Sequence, residues 1–206
     1  GRVAGDTVTF KGDEGERQES DVRAAPVVTT APAVSVVLCT YNGERYLGEQ
    51  LESILHQSTP PAEIIVYDDC SSDGTIRLAE GLAAESAVPV RVLAGTENLG
   101  VRRAFSVALA AASGDLIVLA DQDDRWEPDR LEQLVSAAAA LSARRPRLFV
   151  SKLVLTNEAG KPLRARHPGL ERALQCKGLS WRDLAFGNLI PGCAMAFDRS
   201  LLDQFL

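Results

Sequence analysis

Four short apolar runs, each ending in a polar cluster, most constrain what this chain can fold into. They are VSVVLC (34–39), EIIVYDD (63–69), VRVLAG (90–95) and GDLIVLAD (114–121). Continuous runs rich in Val, Ile and Leu fit strands buried on both faces of a parallel sheet. Between them the period becomes helical. In 44–57, Leu47, Leu51, Ile54 and Leu55 form one stripe, and in 74–86, Leu78 and Leu82 share a face behind Asp73 as N-cap. In 101–114, Val101, Phe105, Ala108 and Leu109 lie together and Gly114 is the stop. A fourth helix begins in EPDRLEQLVSAAAAL, with Pro128 at its first position. This alternation predicts an α/β fold: a doubly wound, mainly parallel sheet with flanking helices.

In such sheets ligands bind beyond the carboxyl ends of the strands, where the strand order reverses. TYNGE, DDCSSDGT, TENLG and DQDD occupy those ends. Any one of them is an ordinary strand-to-helix turn; one at every strand end predicts a ligand cleft. The last run carries Asp121, Asp123 and Asp124. Like charges this close repel, and a divalent cation reverses the repulsion. Carboxylates suit Mg2+ or Mn2+, and Mg2+ is usually held by one or two of them plus substrate phosphates. Capping the next helix is the alternative role, best suited to Asp124. Asp68 and Asp69 adjoin at the second strand end, and alternation turns one into the cleft and the other away. A carboxylate there can accept the imide N–H of a uracil or thymine ring. Capping explains either Asp taken singly equally well.

The chain has 206 residues, 46% of them apolar, and a net charge of −6. That balance argues against a broad nucleic-acid surface, which would be basic. No apolar run approaches the ~18 residues of a membrane span, and no signal peptide opens the chain. Cys39, Cys70, Cys176 and Cys193 show no paired spacing, so they read as reduced thiols of a cytosolic protein. Residues 1–33 lack core periodicity and read as a flexible leader before a domain spanning 34–206. LVLTNEAGKPL (153–163) reads as a hairpin, Trp126 and Trp181 as residues able to stack a sugar face, with anchoring of its helix as the alternative for Trp126, and His56 and His167 as surface or turn residues.

VSVVLCTYNGERYLGEQLESILHQS, EIIVYDDCSSDGT, NLGVRRAF, SGDLIVLADQDDRWEPDRL and GNLIPGCAMAF, in this order and spacing, resemble inverting nucleotide-sugar glycosyltransferases of family 2, which have the GT-A fold. DQDD-x-W-x-P is nearest to the bacterial rhamnosyltransferase-like group. The resemblance implies a UDP- or dTDP-sugar donor, Mg2+ or Mn2+, and a saccharide or lipid-linked saccharide acceptor in cell-surface polysaccharide synthesis. It implies a cytoplasmic location, with peripheral attachment at the inner face of the membrane as a variant. Thr40, Tyr41 and Asp69 would cradle the base, with Asn42, Asn98 and Gln122 also on the substrate. Asp121 and Asp123 would form the metal-binding D-x-D, with Asp124 sharing the role. Arg102 or Arg103 would supply any phosphate contact, and Gly192 would border sugar and acceptor. Cys70 departs from the family, which has Gly there.

The general base of the resembling group lies after the helix that here reads FDRSLLDQFL, so it is expected beyond Leu206, with the domain truncated at that end. Asp183 and Asp198 are the candidates within the chain, although Asp198 also reads as an N-cap. Two other classes stand beside this one: a nucleotide-sugar binding module without turnover, and a sugar-phosphate nucleotidyltransferase. The second would carry a Gly-rich basic loop after the first strand, which CTYNGERY does not match.

Overall fold

The computed structural model describes residues 2–9, 31–141, 146–157, 160–165, 167–175 and 190–204. Four parallel strands form its centre: β2 (Val34–Thr40), β3 (Glu63–Asp68), β4 (Val90–Ala94) and β5 (Leu116–Asp121). They follow the four apolar runs to within a few residues. β7 (Leu148–Val154) and β8 (Met195–Asp198) extend the sheet beyond β5, and β8 runs antiparallel to both β5 and β7. With β1 (Arg2–Thr9) and β6 (Arg125–Trp126) the order is β4-β3-β2-β5-β8-β7-β1-β6. Successive strands run outward from β2 to β4; the chain then returns to place β5 on the other side of β2. The order therefore reverses between β2 and β5, where Cys39 faces Asp121 in register.

Helices α1 (Leu47–Leu55), α2 (Thr75–Glu85), α3 (Val101–Ala111) and α4 (Arg130–Ala140) follow the strands. α5 (Pro168–Gln175) and the short α6 (Arg199–Leu202) complete the set among the described residues. Alternating residues of β2 feed two cores. Val36 and Leu38 pack with Leu47, Leu51 and Ile54 of α1 and with Leu131 and Leu134 of α4. Val37 packs with Ala104 and Ala108 of α3 and Leu202 of α6. Leu47, Leu51 and Ile54 are essentially fully buried, which contributes roughly 1.5–3 kcal/mol each.

Several elements differ from the sequence reading. α3 buries Ala104 and Ala108, whereas Val101 is 67% exposed and Phe105 half-buried. Small residues bring the helix close to the sheet, and this turns Val101 and Phe105 toward the strand ends. α4 begins at Arg130, so Pro128 precedes it. α2 begins at Thr75, yet Asp73 still accepts the Thr75 N–H at 3.0 Å.

Arg2–Thr9, inside the leader expected over 1–33, forms a strand. This segment pairs antiparallel with β7 and parallel with β6. An edge strand needs backbone partners rather than core periodicity, and β7 would otherwise present an open edge; residues 10–30 lie outside the described set. The hairpin over 153–163 is present in its described residues: Thr156 bridges Pro162, and Gly160 takes φ +71.

Candidate functional site

A cleft of about 440 Å³ opens at the carboxyl ends of β2 and β5. Thr40, Tyr41, Asp69, Asn98, Asp121, Gln122 and Asp123, all expected at the site, line it. Cys39, Phe105 and Val101 join them.

Asp69 forms one side of the cleft. It is buried, and its two carboxylate oxygens accept the N–H groups of Leu99 at 2.7 Å and Gly100 at 2.9 Å. Gly100 has φ +77, a conformation open to glycine at little cost, and it leads directly into α3. Asn98 Oδ1 accepts the same Gly100 N–H at 3.1 Å. Asp68 turns the other way, as alternation requires. Its oxygens accept Thr40 Oγ1 at 2.8 Å, Ser71 N at 2.8 Å and Ser71 Oγ at 2.6 Å.

The first loop is tied down on both sides. Asn42, at φ +47, accepts the Ser72 N–H at 2.9 Å and donates its own N–H to Ser71 Oγ at 2.8 Å. Its side chain is spent on the loop after β3 and is absent from the cleft lining. Gln122 reaches across from β5 to the backbone of Tyr41. Any Cβ on Gly43 would run into that carboxamide. Cys70 stands at φ +66, exposed and outside the cleft lining.

The acids divide. Asp123 is exposed on the cleft, whereas Asp121 and Asp124 turn together toward Cys193. Oxygens of those two carboxylates and the Cys193 sulfur all lie within 4.8 Å of one another. Burial raises the Asp121 carboxyl above its ordinary value, and the neighbouring Asp124 and Asp123 add to this. Burial also pushes the Cys39 thiol up to about 12, reinforced by Asp69 and Asp121. The donor set, crowded and net negative, fits a divalent cation.

Arg130 lies behind the acids. It is fully buried, and its Nη2 donates to the Cys193 carbonyl at 2.7 Å. Its guanidinium sits 4.0 Å from the centroid of the buried Trp126 ring. Trp126 is thus an anchor beneath the site, the alternative its sequence position allowed. Burial lowers Arg130 to about 10, and Cys193, Asp124 and Asp121 oppose that shift. Sequence reasoning missed Arg130. Helical spacing does not link it to Trp126, because Trp126 lies in β6 and α4 begins only at Arg130.

Three expected residues lie elsewhere. Arg103 is exposed on α3 and does not line the cleft. Gly192 opens the turn carrying Cys193 and packs toward Leu119 below the acids. Asp198 stands opposite Leu116, at the amino end of β5, held by Arg147 at 2.7 Å and 2.9 Å. Asp183 and Trp181 fall outside the described residues.

A parallel sheet with its order reversed at the acid-lined cleft, extended by antiparallel strands, is the architecture of the GT-A fold. The chain matches the description "Glycosyl transferase family 2" over residues 35–202 and belongs to that family. It is 38% identical over 109 residues to EpsE of Bacillus subtilis (strain 168), named as a glycosyltransferase, covering 53% of this chain and 39% of that one. It is 33% identical over 139 residues to the succinoglycan biosynthesis protein ExoO of Rhizobium meliloti (strain 1021), covering 68% and 38%. The chain thus spans about two fifths of the length of these relatives. Among solved structures, the mannosyltransferase PcManGT from Pyrobaculum calidifontis, in complex with GDP-Man and Mn2+, superposes with a TM-score of 0.60 at 24% identity, covering 89% of this chain and 49% of that one. S. aureus TarS residues 1–349, in complex with UDP, are 33% identical with a TM-score of 0.47, covering 52% and 31%.

Proposed function

We propose that the cleft binds a nucleoside diphosphate sugar with a uracil or thymine base, and that the domain transfers the sugar to an acceptor hydroxyl with inversion. One observation carries this reading: a single cleft is lined both by the buried Asp69 with the half-buried Phe105 and by the acids Asp121 and Asp123. Family 2 membership supports it and sets aside the nucleotidyltransferase alternative.

In this reading Asp69, already fixed by two backbone donors, uses its remaining lone pairs for the imide N–H of the base. Phe105 and Val101 supply an apolar wall for the ring. Asp121 and Asp124 hold Mg2+ or Mn2+, with Asp123 on the open side toward the phosphates. When bound, the ion neutralises the leaving diphosphate. Thr40, Tyr41 and Gln122 set the spacing between base and diphosphate, so that C1 of the sugar is presented to the acceptor.

The acceptor is a saccharide or lipid-linked saccharide, in line with relatives whose names place them in teichuronic acid and succinoglycan biosynthesis. Asp198 is unsuited to take the hydroxyl proton. It lies five residues down β5 from Asp121, about 17 Å away at ~3.3 Å per residue, and is engaged with Arg147. A thermal-shift panel of UDP-, dTDP- and GDP-sugars with and without Mn2+, followed by transfer assays with the responding donors, tests the reading. Stabilisation by pyrimidine donors with Mn2+ supports it; preference for GDP-sugars or indifference to all three contradicts it.

A further inference from the structure

The turn before β8 brings a thiol to the acids. β5 and β8 pair with Ile117 opposite Phe197 and Val118 opposite Ala196. The pairing ends there, and the 3-10 turn Gly192–Ala194 that precedes β8 brings the Cys193 sulfur to the carboxylates of Asp121 and Asp124. Cys193 is buried, and its sulfur lies within 4.8 Å of a carboxylate oxygen of both Asp121 and Asp124. Its backbone is fixed from behind by the Arg130 donation to its carbonyl.

Ligand atoms on opposite sides of one ion stand about 4.2–4.6 Å apart, given metal–oxygen bonds near ~2.1 Å and metal–sulfur bonds near ~2.3 Å. The two carboxylate oxygens and the sulfur lie within 4.8 Å of one another, a span that a shift of a few tenths of an ångström brings to that of a single ion. Asp123 stands outside the set, exposed on the cleft side. An ion held by this trio would have its protein ligands below it and its open positions toward the cleft.

We infer that Cys193 is the third protein ligand of the divalent ion, and that its sulfur biases the site toward Mn2+, Co2+, Zn2+ and Cd2+ over Mg2+. The inference rests on the metal-assisted reading of the cleft. A soft thiolate favours these ions, whereas carboxylates and water suffice for Mg2+. On ligation the S–H bond breaks, the sulfur pair goes to the ion, and the proton leaves to solvent. The Arg130 guanidinium, paired to the carbonyl of the same residue, offsets the negative charge this leaves on the turn.

Cobalt absorption tests the ligand directly. Co2+ added to the intact chain should give a near-ultraviolet sulfur-to-cobalt charge-transfer band. Cys193→Ser should abolish it, and Cys39→Ser should keep it. Outer-shell partners alone are worth roughly 10–100-fold in metal affinity. Losing the sulfur should therefore weaken Cd2+ by at least about tenfold, with Mg2+ little changed. A wild-type chain that binds Co2+ without the band, or a band that follows Cys39, overturns the inference. If Cys193→Ser fails to fold, cadmium NMR of the wild-type chain decides: a thiolate-shifted resonance supports ligation, and an all-oxygen shift removes it. UDP binding with Mn2+ is measured in parallel. UDP binding that needs Mn2+, without the band, removes Cys193 alone. Loss of both removes the metal-assisted reading itself.

Discussion

Gln122 grips Tyr41 at two points: its Oε1 accepts the Tyr41 N–H at 2.9 Å, and its Nε2 donates to the Tyr41 carbonyl at 3.1 Å. The carboxamide thus serves as one more rung of the ladder, joining the loops after β2 and β5 where the strand order reverses.

Gln122→Ala should therefore loosen the cleft more than the fold. Each hydrogen bond is worth roughly 0.5–1.5 kcal/mol net, so UDP affinity should fall by about 5- to 30-fold, for a loss of about 1–2 kcal/mol. The melting temperature should barely move, because the pair is exposed to solvent. Calorimetry and a melting curve on the same variant check both halves.

Asp69 should govern recognition of the base, and Asp68 the stability of the loop. Asp69→Asn places an NH2 against the Leu99 or Gly100 N–H and also removes the acceptor for the imide. Wild-type protein should reject UDP methylated at the imide nitrogen, and Asp69→Asn should narrow its preference for the unmethylated form. Asp68→Asn disturbs three buried or half-buried hydrogen bonds and should lower stability by roughly 1–3 kcal/mol with that preference intact. The reverse pattern would exchange the two roles.

How far the residues alone could reach is clear from these two positions. Alternation along a strand separated Asp68 from Asp69, and the period of the apolar runs placed all four central strands. The regions that escaped are those where distance along the chain stops being informative. Cys193 reaches Asp121 only through the turn that precedes β8, more than seventy residues along the chain. Arg130 is a charged residue in a helix's first turn, which normally signals a solvated face; its burial follows from the Trp126 ring and a carbonyl on a distant turn. Asn42 carried the right residue type for substrate contact, but a local bond to Ser72 claims it. Asp198 had suitable chemistry and the wrong end of the sheet.

Arg147 and Asp198 should prove structural. The pair is nearly buried and bidentate, and Arg147 also donates to the carbonyls of Ala138 and Leu141. Removing one partner from a buried ion pair costs up to about 3–5 kcal/mol. Asp198→Asn should lower the denaturation midpoint while leaving UDP affinity unchanged at temperatures where the variant is folded. A lost donor site with unchanged stability would place Asp198 in the chemistry after all.

Cys70→Gly should stabilise the chain. A side chain in the left-handed region costs roughly 1–2 kcal/mol, and Cys70 sits there at φ +66. Glycine's extra freedom in the unfolded chain takes back roughly 0.5–1 kcal/mol. A net gain of up to about 1 kcal/mol in urea denaturation is expected, with UDP affinity unchanged because Cys70 lies outside the cleft lining.

The central claim is that the acids at the end of β5 hold a cation that in turn holds a nucleoside diphosphate. Calorimetric titration of UDP, with and without Mn2+, into the wild-type chain and Asp121→Ala tests it most directly. Wild-type affinity should rise at least about tenfold with Mn2+, and Asp121→Ala should show the same weak binding in both buffers, since a liganding carboxylate is worth no less than the roughly 10–100-fold of an outer-shell partner. Equal wild-type affinity in the two buffers, or a Mn2+ effect that survives in Asp121→Ala, would contradict the account.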